Sequence, residues 1–414
     1  MSVPDLDRCL QTGIYEKTYS AAACVASVGR NVFHRGVYGN PSTPPPVRKV
    51  GMDVLFDLGA LSKPLGAGLA ALWLTSKNRI DLNASVGKTI PELRNERFAK
   101  ITIDMLLDHT SGLPAARSFW QDLADEESKR HESARLLGTD KALPWFKQRL
   151  ADTVLEAEPG HKTVESDVGF MALGFILESL VGQPLDVFLE REIYRPLGVA
   201  EDLFFVRQAD VRRRQRLARR VFAATEDCAW RKKVMVGEVC DANAWAMGGV
   251  AGHAGLFGTV DAVWQLVAAL WESYKGDNRS FLGGTVKRFW TRSRRVAGTT
   301  RTLAWDTPTV NNSAAGKRFS QSSVGHLGGT GCSIWIDLST DIIGVVLTNA
   351  AHPSLTGKAE ALAKLRPRAY EIIAKHGEAR PAQGGQATGS KAFYDGPIVG
   401  PSRGALNPLR GPSR

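Results

Sequence analysis

Apolar positions in this chain follow two patterns. Ser20–Ser27 (SAAACVAS) and Val32–Tyr38 are short extended-type runs separated by Gly29-Arg30-Asn31. Such runs around a glycine turn predict a β-hairpin. Cys332–Asp337 and Ile342–Asn349, joined by Leu-Ser-Thr-Asp, predict a second. Between them the pattern is helical: Leu61–Lys77, Val168–Val181, Leu185–Tyr194 and Asp261–Trp271, with Lys358–Lys375 as a final helix bent at Pro367. Pro64 falls in the first turn of its helix, where a missing N–H costs little. Strands at both ends and helices between predict one sheet built from both termini. Residues 1–80 and 250–378 would form the sheet-containing region and residues 81–249 a mainly helical insertion. Residues 379–414 are rich in Gly, Pro and Ser, with too few apolar residues to offset ordering entropy, and are expected to be a disordered basic tail.

Composition narrows the class. Of 414 residues, 43% are hydrophobic and 23% charged, which excludes a collagen-like, coiled-coil or wholly disordered chain. The longest apolar stretch, Leu65–Leu74, is far short of the roughly 20 residues of a membrane span. The first residues are acidic rather than basic-then-apolar, so no secretory leader and a cytoplasmic location are expected. Five scattered cysteines with no CxxC pair suggest neither a disulfide framework nor a zinc knuckle, and no metal or cofactor is expected. The net charge is +11, with a knot at Arg212, Arg213, Arg214, Arg216, Arg219 and Arg220 and another at Arg292, Arg294 and Arg295. Such a run can attract an anionic partner. Without interleaved aromatic residues it reads first as a solvated face, exposed and dispensable for folding.

Four segments carry candidate chemistry: Phe56-Asp57-Leu58-Gly59-Ala60-Leu61-Ser62-Lys63, Leu106-Leu107-Asp108-His109-Thr110-Ser111-Gly112-Leu113-Pro114, Gly248–Phe257 (GGVAGHAGLF) and Gly325-His326-Leu327-Gly328. In this order they resemble the β-lactamase-related serine hydrolases: class C β-lactamases, DD-peptidases and related esterases. The resemblance implies an α+β fold of β-lactamase/transpeptidase type, an antiparallel sheet flanked by helices plus a mainly helical region. It also implies three chemical elements. A Ser-x-x-Lys at a helix start places nucleophile and base on one helix face. A Tyr-Ser-Asn or Tyr-Ser-Asp supplies a proton-shuttling phenol. A strand bearing Lys/His-x-Gly forms the opposite wall.

Two of the three elements are altered. The nucleophile position is Ala60, aligned without a gap between Phe56 and Lys63. The tyrosine position is Glu165, followed by Ser166 and Asp167. The third element survives as His326-Leu327-Gly328. By resemblance, an oxyanion hole would use the backbone N–H groups of Ala60 and Gly329, and Ser166, Asp167, Gly328 and Gly329 would line the ligand site. A buried lysine without its usual partners is costly, so Glu165 is expected to pair directly with Lys63. His109 and His253 read as loop and turn architecture. Ser62 is a poor substitute nucleophile, and Ser166 the better one. Three functions fit this pattern. The first is a catalytically degenerate hydrolase that binds a peptide, β-lactam or ester, or a protein partner. The second is a working hydrolase using Glu165, Ser166 or water. The third is an electrostatic binder acting through Arg212–Arg220.

Overall fold

A computed structural model describes residues 2–42, 50–128, 135–277 and 279–380. The expected basic tail beyond Arg380 lies outside them. Strands β1 (Ala21–Val28) and β2 (Asn31–Gly39) form the first hairpin. The short strands β3 (Phe56–Asp57), β4 (Leu203–Phe205), β5 (Asp227–Cys228), β6 (Lys233–Val234) and β7 (Leu256–Gly258) follow. Strands β8 (Val324–Leu327), β9 (Ser333–Ile336) and β10 (Ile342–Thr348) complete the set. The main sheet has the order β2-β1-β10-β9-β8 and is antiparallel throughout. Residues 21–39 and 324–348 thus meet in one sheet, through pairs such as Cys24 with Val346.

Both faces of this sheet are covered, which is why β1 is buried along its whole length. Five longer helices carry the argument: α1 (Pro4–Tyr15), α2 (Gly68–Ser76), α3 (Asp167–Val181), α4 (Val260–Lys275) and α5 (Ala359–Glu378). Ala22, Cys24 and Ala26 share a core with Leu6 and Leu10 of α1 and Tyr370 and Ile373 of α5. Ala21, Ala23 and Val25 point the other way, into a core with Val263 and Leu266 of α4. Successive strand residues alternate between faces, and small residues let the helices approach. A side chain at Gly344 would meet the Tyr370 ring at 2.8 Å. The helix α1 has no counterpart among the sequence expectations.

A second, three-stranded sheet, β3-β7-β4, pins the segment before Ala60. Phe56 pairs with Gly258 and Phe204 with Phe257. The expected helix over Leu61–Lys77 is one helical run in three pieces. It tightens at Gly59–Leu61, widens over Lys63–Ala67, and continues as α2. In the widened turn the Gly68 N–H reaches back to the Lys63 carbonyl, a geometry that recurs at functional sites. Among the described residues, no single helix is long and apolar enough to cross a membrane.

Candidate active site

The turn into the helix is built by Asp57 and Gly59. Gly59 has φ +54°, a left-handed value glycine adopts without strain. Its N–H donates to Asp57 Oδ1 at 2.9 Å, while Asp57 Oδ2 accepts from the Cys240 N–H at 2.7 Å. Burial raises the Asp57 carboxyl to about 6, against the pull of these two bonds. The β8–β9 turn closes over the segment, with Thr330 Oγ1 donating to the Asp57 carbonyl at 2.7 Å. A side chain at Gly328 would strike the Leu58 carbonyl at 2.5 Å, whereas one at Gly329 would meet nothing within 4 Å. Gly328 is therefore a packing requirement, and Gly329 faces open space.

His109 sets the opposite side. Its backbone lies at φ +62°, a left-handed conformation that costs a non-glycine residue about 1–2 kcal/mol. Its carbonyl accepts from the Val164 N–H at 2.9 Å, and its Nδ1 accepts from the Ser166 N–H at 3.0 Å. One residue thus grips the chain on both sides of Glu165. The His109 ring packs 5.0 Å from that of Phe170.

Lys63 is 1% exposed and sits at the centre. Its Nζ donates to Glu165 Oε1 at 3.0 Å, the pairing expected from the sequence. A second carboxylate, Asp167 Oδ1, lies 2.8 Å away, and the Phe170 ring lies beneath the ammonium at 5.8 Å. Glu165 Oε2 accepts from Arg301 at 2.9 Å. Arg301 also faces Asp306, at 3.9 Å. Burial alone would raise the Glu165 carboxyl, but Lys63, His326, Arg301 and His109 hold it far below the usual carboxylate range. His326 projects from β8 with its Nε2 4.0 Å from Glu165 Oε1. Burial, with Lys63 and Arg301 nearby, lowers its titration to about 4 although Glu165 pulls the other way.

The structure therefore brings Lys63, Glu165, Asp167 and His326 together. Ser166 is adjacent but otherwise committed: its Oγ donates to the Pro114 carbonyl at 2.6 Å and caps α3 by accepting from the Gly169 N–H at 2.8 Å. That hydroxyl is not free to contact a ligand or to act as a nucleophile. Ser62 Oγ likewise accepts from the Leu256 N–H at 3.1 Å and is fully buried. Asp167, expected as a ligand contact, is a counterion of Lys63. His109, read as loop architecture, belongs to the site. His253 pairs with Asp241 at 2.9 Å. Arg301 was not foreseen, because no motif surrounds it. The arginine run lies at the surface as expected, with no residue of Val211–Leu217 buried, but part of it is paired. Arg213 bonds Glu190 at 2.9 Å and covers the Phe204 ring at 5.0 Å, and Arg220 bonds Asp202. Acids from remote segments neutralise part of the run.

Chemically the cluster sets two cations, Lys63 and Arg301, against three carboxylates, Glu165, Asp167 and Asp306. Ala60 offers no side-chain oxygen. The Glu165 side chain is 41% exposed, so the cluster opens to solvent. A cavity of about 500 Å³ lined by Asp5, Arg8, Arg318, Arg368 and Lys375 shares none of these residues.

A fold of this type, with this site at the start of its first core helix, is that of the serine hydrolases related to β-lactamase. The family model for Beta-lactamase matches residues 6–366, and the chain belongs to that family. An Escherichia coli (strain K12) relative described as "Putative D-alanyl-D-alanine carboxypeptidase" is 31% identical over 322 residues, covering 73% of this chain and 71% of the relative. A Salmonella agona relative with the same description is 30% identical over 318 residues, covering 72% and 70%. Among solved structures, EstCE1, a hydrolase with promiscuous acyltransferase activity, superposes with a TM-score of 0.67 at 20% identity, over 89% of this chain and 98% of its own. A class C beta-lactamase mutant gives 0.65 at 17% identity, over 90% and 96%.

Proposed function

We propose that this protein binds a carbonyl-bearing ligand of the peptide, ester or lactam class in the cleft bounded by Ala60, Glu165 and His326, and forms no acyl-enzyme with it. One observation carries this reading: alanine stands at the nucleophile position beside a lysine clamped by Glu165 and Asp167. Loss of the nucleophile alone removes on the order of 10⁶ in turnover from a serine hydrolase. Backbone donors survive that loss, so recognition of a carbonyl does not require the missing hydroxyl. The description of the relatives makes a peptide ending in D-alanyl-D-alanine the first ligand to try. A partner-binding role for the arginine run is less well supported, since Arg213 and Arg220 already have acidic partners.

The test joins covalent and equilibrium measurements. The protein is incubated with a fluorescent penicillin and a fluorophosphonate and read by intact mass, and titrated with diacetyl-Lys-D-Ala-D-Ala in a thermal-shift assay. No mass adduct and a saturable upward shift are expected. Stoichiometric acylation of any serine overturns the first half of the proposal, and absence of any shift overturns the second.

A further inference from the structure

The two site histidines are held in opposite tautomers. His109 Nδ1 accepts a hydrogen bond from the Ser166 backbone N–H, so that nitrogen bears no proton and Nε2 carries it. His326 Nδ1 lies 2.9 Å from the Leu327 carbonyl, which only accepts, so Nδ1 carries the proton and Nε2 presents a lone pair. Each Nε2 is buried and has no hydrogen-bond partner among the described residues. One ring nitrogen of each histidine and a Glu165 carboxylate oxygen lie within 4.8 Å of one another. His109 thus offers a donor, while His326 and Glu165 offer acceptors, within one small cluster. The two acceptors, 4.0 Å apart, cannot satisfy each other.

Size and polarity decide what fits that point. Ligand atoms around tetrahedral zinc sit about 2.0–2.1 Å from the metal, hence roughly 3.4 Å from one another. His326 Nε2 and Glu165 Oε1, 4.0 Å apart, are too widely spaced to close on such an ion. The protonated His109 Nε2 has no lone pair to give, and Lys63 and Arg301 add repulsion. With no side longer than 4.8 Å, the centre of the triangle lies at most about 2.8 Å from each corner, within hydrogen-bond reach of a water oxygen. A water there accepts from His109 and donates to both His326 and Glu165.

We propose that His109, His326 and Glu165 bind one water molecule, and that His326 draws a proton from it so that it attacks a bound ester or amide directly. This rests on the carbonyl-ligand reading above, and gives the protein a hydrolytic route that needs no nucleophilic side chain. The water oxygen forms the new C–O bond as the carbonyl electron pair moves onto its oxygen, and the water proton passes to His326 Nε2. When the tetrahedral species collapses, the C–N or C–O bond breaks and the leaving group takes that proton from His326. The products are an acid and an amine or alcohol. The low titration of His326 keeps its lone pair available at neutral pH. The groups that set it are Glu165, Lys63, Arg301 and Asp306, with His109 across the site.

The test is steady-state and pre-steady-state hydrolysis of p-nitrophenyl acetate by the full chain, followed by intact mass during turnover. The expected result is turnover above buffer with no burst and no mass adduct. His326→Ala should lose roughly 10²–10⁴-fold, the usual contribution of a general base. Should His326→Ala fold poorly, the wild-type pH profile serves instead: the rate should be level at neutral pH and fall as pH drops through about 4. Wild-type turnover at the buffer rate, with diacetyl-Lys-D-Ala-D-Ala still binding, overturns this inference and leaves the ligand-binding reading standing. A burst with a mass adduct overturns both. A folded His326→Ala with the full rate, or a wild-type rate unchanged from pH 7 to pH 3, rejects His326 as the base.

Discussion

Removing both carboxylates that face Lys63 should destabilise the protein by more than the sum of removing each. The perturbation is Glu165→Gln, Asp167→Asn and the double variant, all close in shape to the native side chains. Lys63 is 1% exposed, and its ammonium lies 3.0 Å from one carboxylate and 2.8 Å from the other. Each single variant leaves one counterion in place. Both carboxylates are more than a third exposed, so each single loss should cost only about 1–2 kcal/mol. Asp167→Asn also gives up a favourable charge in the first turn of α3, a few tenths of a kcal/mol more. The double variant leaves a buried ammonium with no carboxylate, which typically costs about 3–5 kcal/mol. A buried lysine in that position escapes by releasing its proton. From an ordinary lysine pKa near 10.4, this caps the cost at about 5 kcal/mol at pH 7 and about 2 kcal/mol at pH 9. The assay is urea unfolding followed by circular dichroism at both pH values. An excess of about 1 kcal/mol in the double variant is expected at pH 7, vanishing at pH 9. Additive single effects, or a Glu165→Gln variant that alone costs about 4 kcal/mol, would refute the two-counterion account.

Three further outcomes follow from the same geometry. His326 and His109 are neutral in the fold and take up protons on unfolding; stability should therefore be full above about pH 6.5 and decline as pH falls toward 4, with Glu165 extending the loss below its ordinary range. Thermal melts from pH 7.5 to 3.5 check this, and a flat Tm across pH 6.5–4 contradicts it. Ala60→Ser and Glu165→Tyr should each leave covalent chemistry absent, whereas the double variant should show a p-nitrophenyl acetate burst with a mass adduct on the introduced serine; a well-folded double variant with no adduct means the pocket differs at more than two positions. Arg213→Ala should lower stability by about 1 kcal/mol, through loss of Glu190 pairing and Phe204 contact, while Arg212→Ala on the exposed face should change Tm little; equal effects would show that the pairing contributes nothing.

What could be read in advance depended on how far a contact reaches along the chain. The strands β1, β2, β9 and β10 announced themselves through local patterning, whereas β8, in a Gly-rich stretch, was expected only from the family resemblance. Lys63 with Glu165 was legible because the motif around residue 60 has no gap, and because a buried ammonium demands a carboxylate. Asp167 lay inside a motif yet was matched to a ligand instead of to Lys63. Sequence spacing shows that it starts α3, not that its carboxylate turns back onto the ammonium. Arg301 is 136 residues from Glu165, in a segment without periodicity, so only the folded chain brings them together. The arginine run was legible as an exposed face, but its partners were not. Its density suggested self-repulsion in solvent, but Glu190, Asp202 and Glu238 arrive from other segments to meet Arg213, Arg220 and Arg214. The role of His109 rested on a backbone angle and a tautomer, neither of which is written in residue types.

The charge cluster itself argues about use. A buried ion pair replaced by well-packed apolar residues is often neutral or even stabilising. A chain that merely needed to close an unused pocket would be served as well by a leucine at 63 and an apolar residue at 165. Instead the site holds Lys63 and Arg301 among Glu165, Asp167 and Asp306, and the exposed side of that cluster faces outward. Within it, His109 carries a strained backbone in order to hold the chain on both sides of Glu165. Strain of this kind persists where the surroundings over-determine it, and it concentrates where a ligand must be met in a fixed geometry. Folding alone does not require that arrangement, which is the reason to test the site for a polar ligand or a held water. The two Nε2 atoms, without hydrogen-bond partners among the described residues, one able only to donate and one only to accept, are where the proposed water would be held.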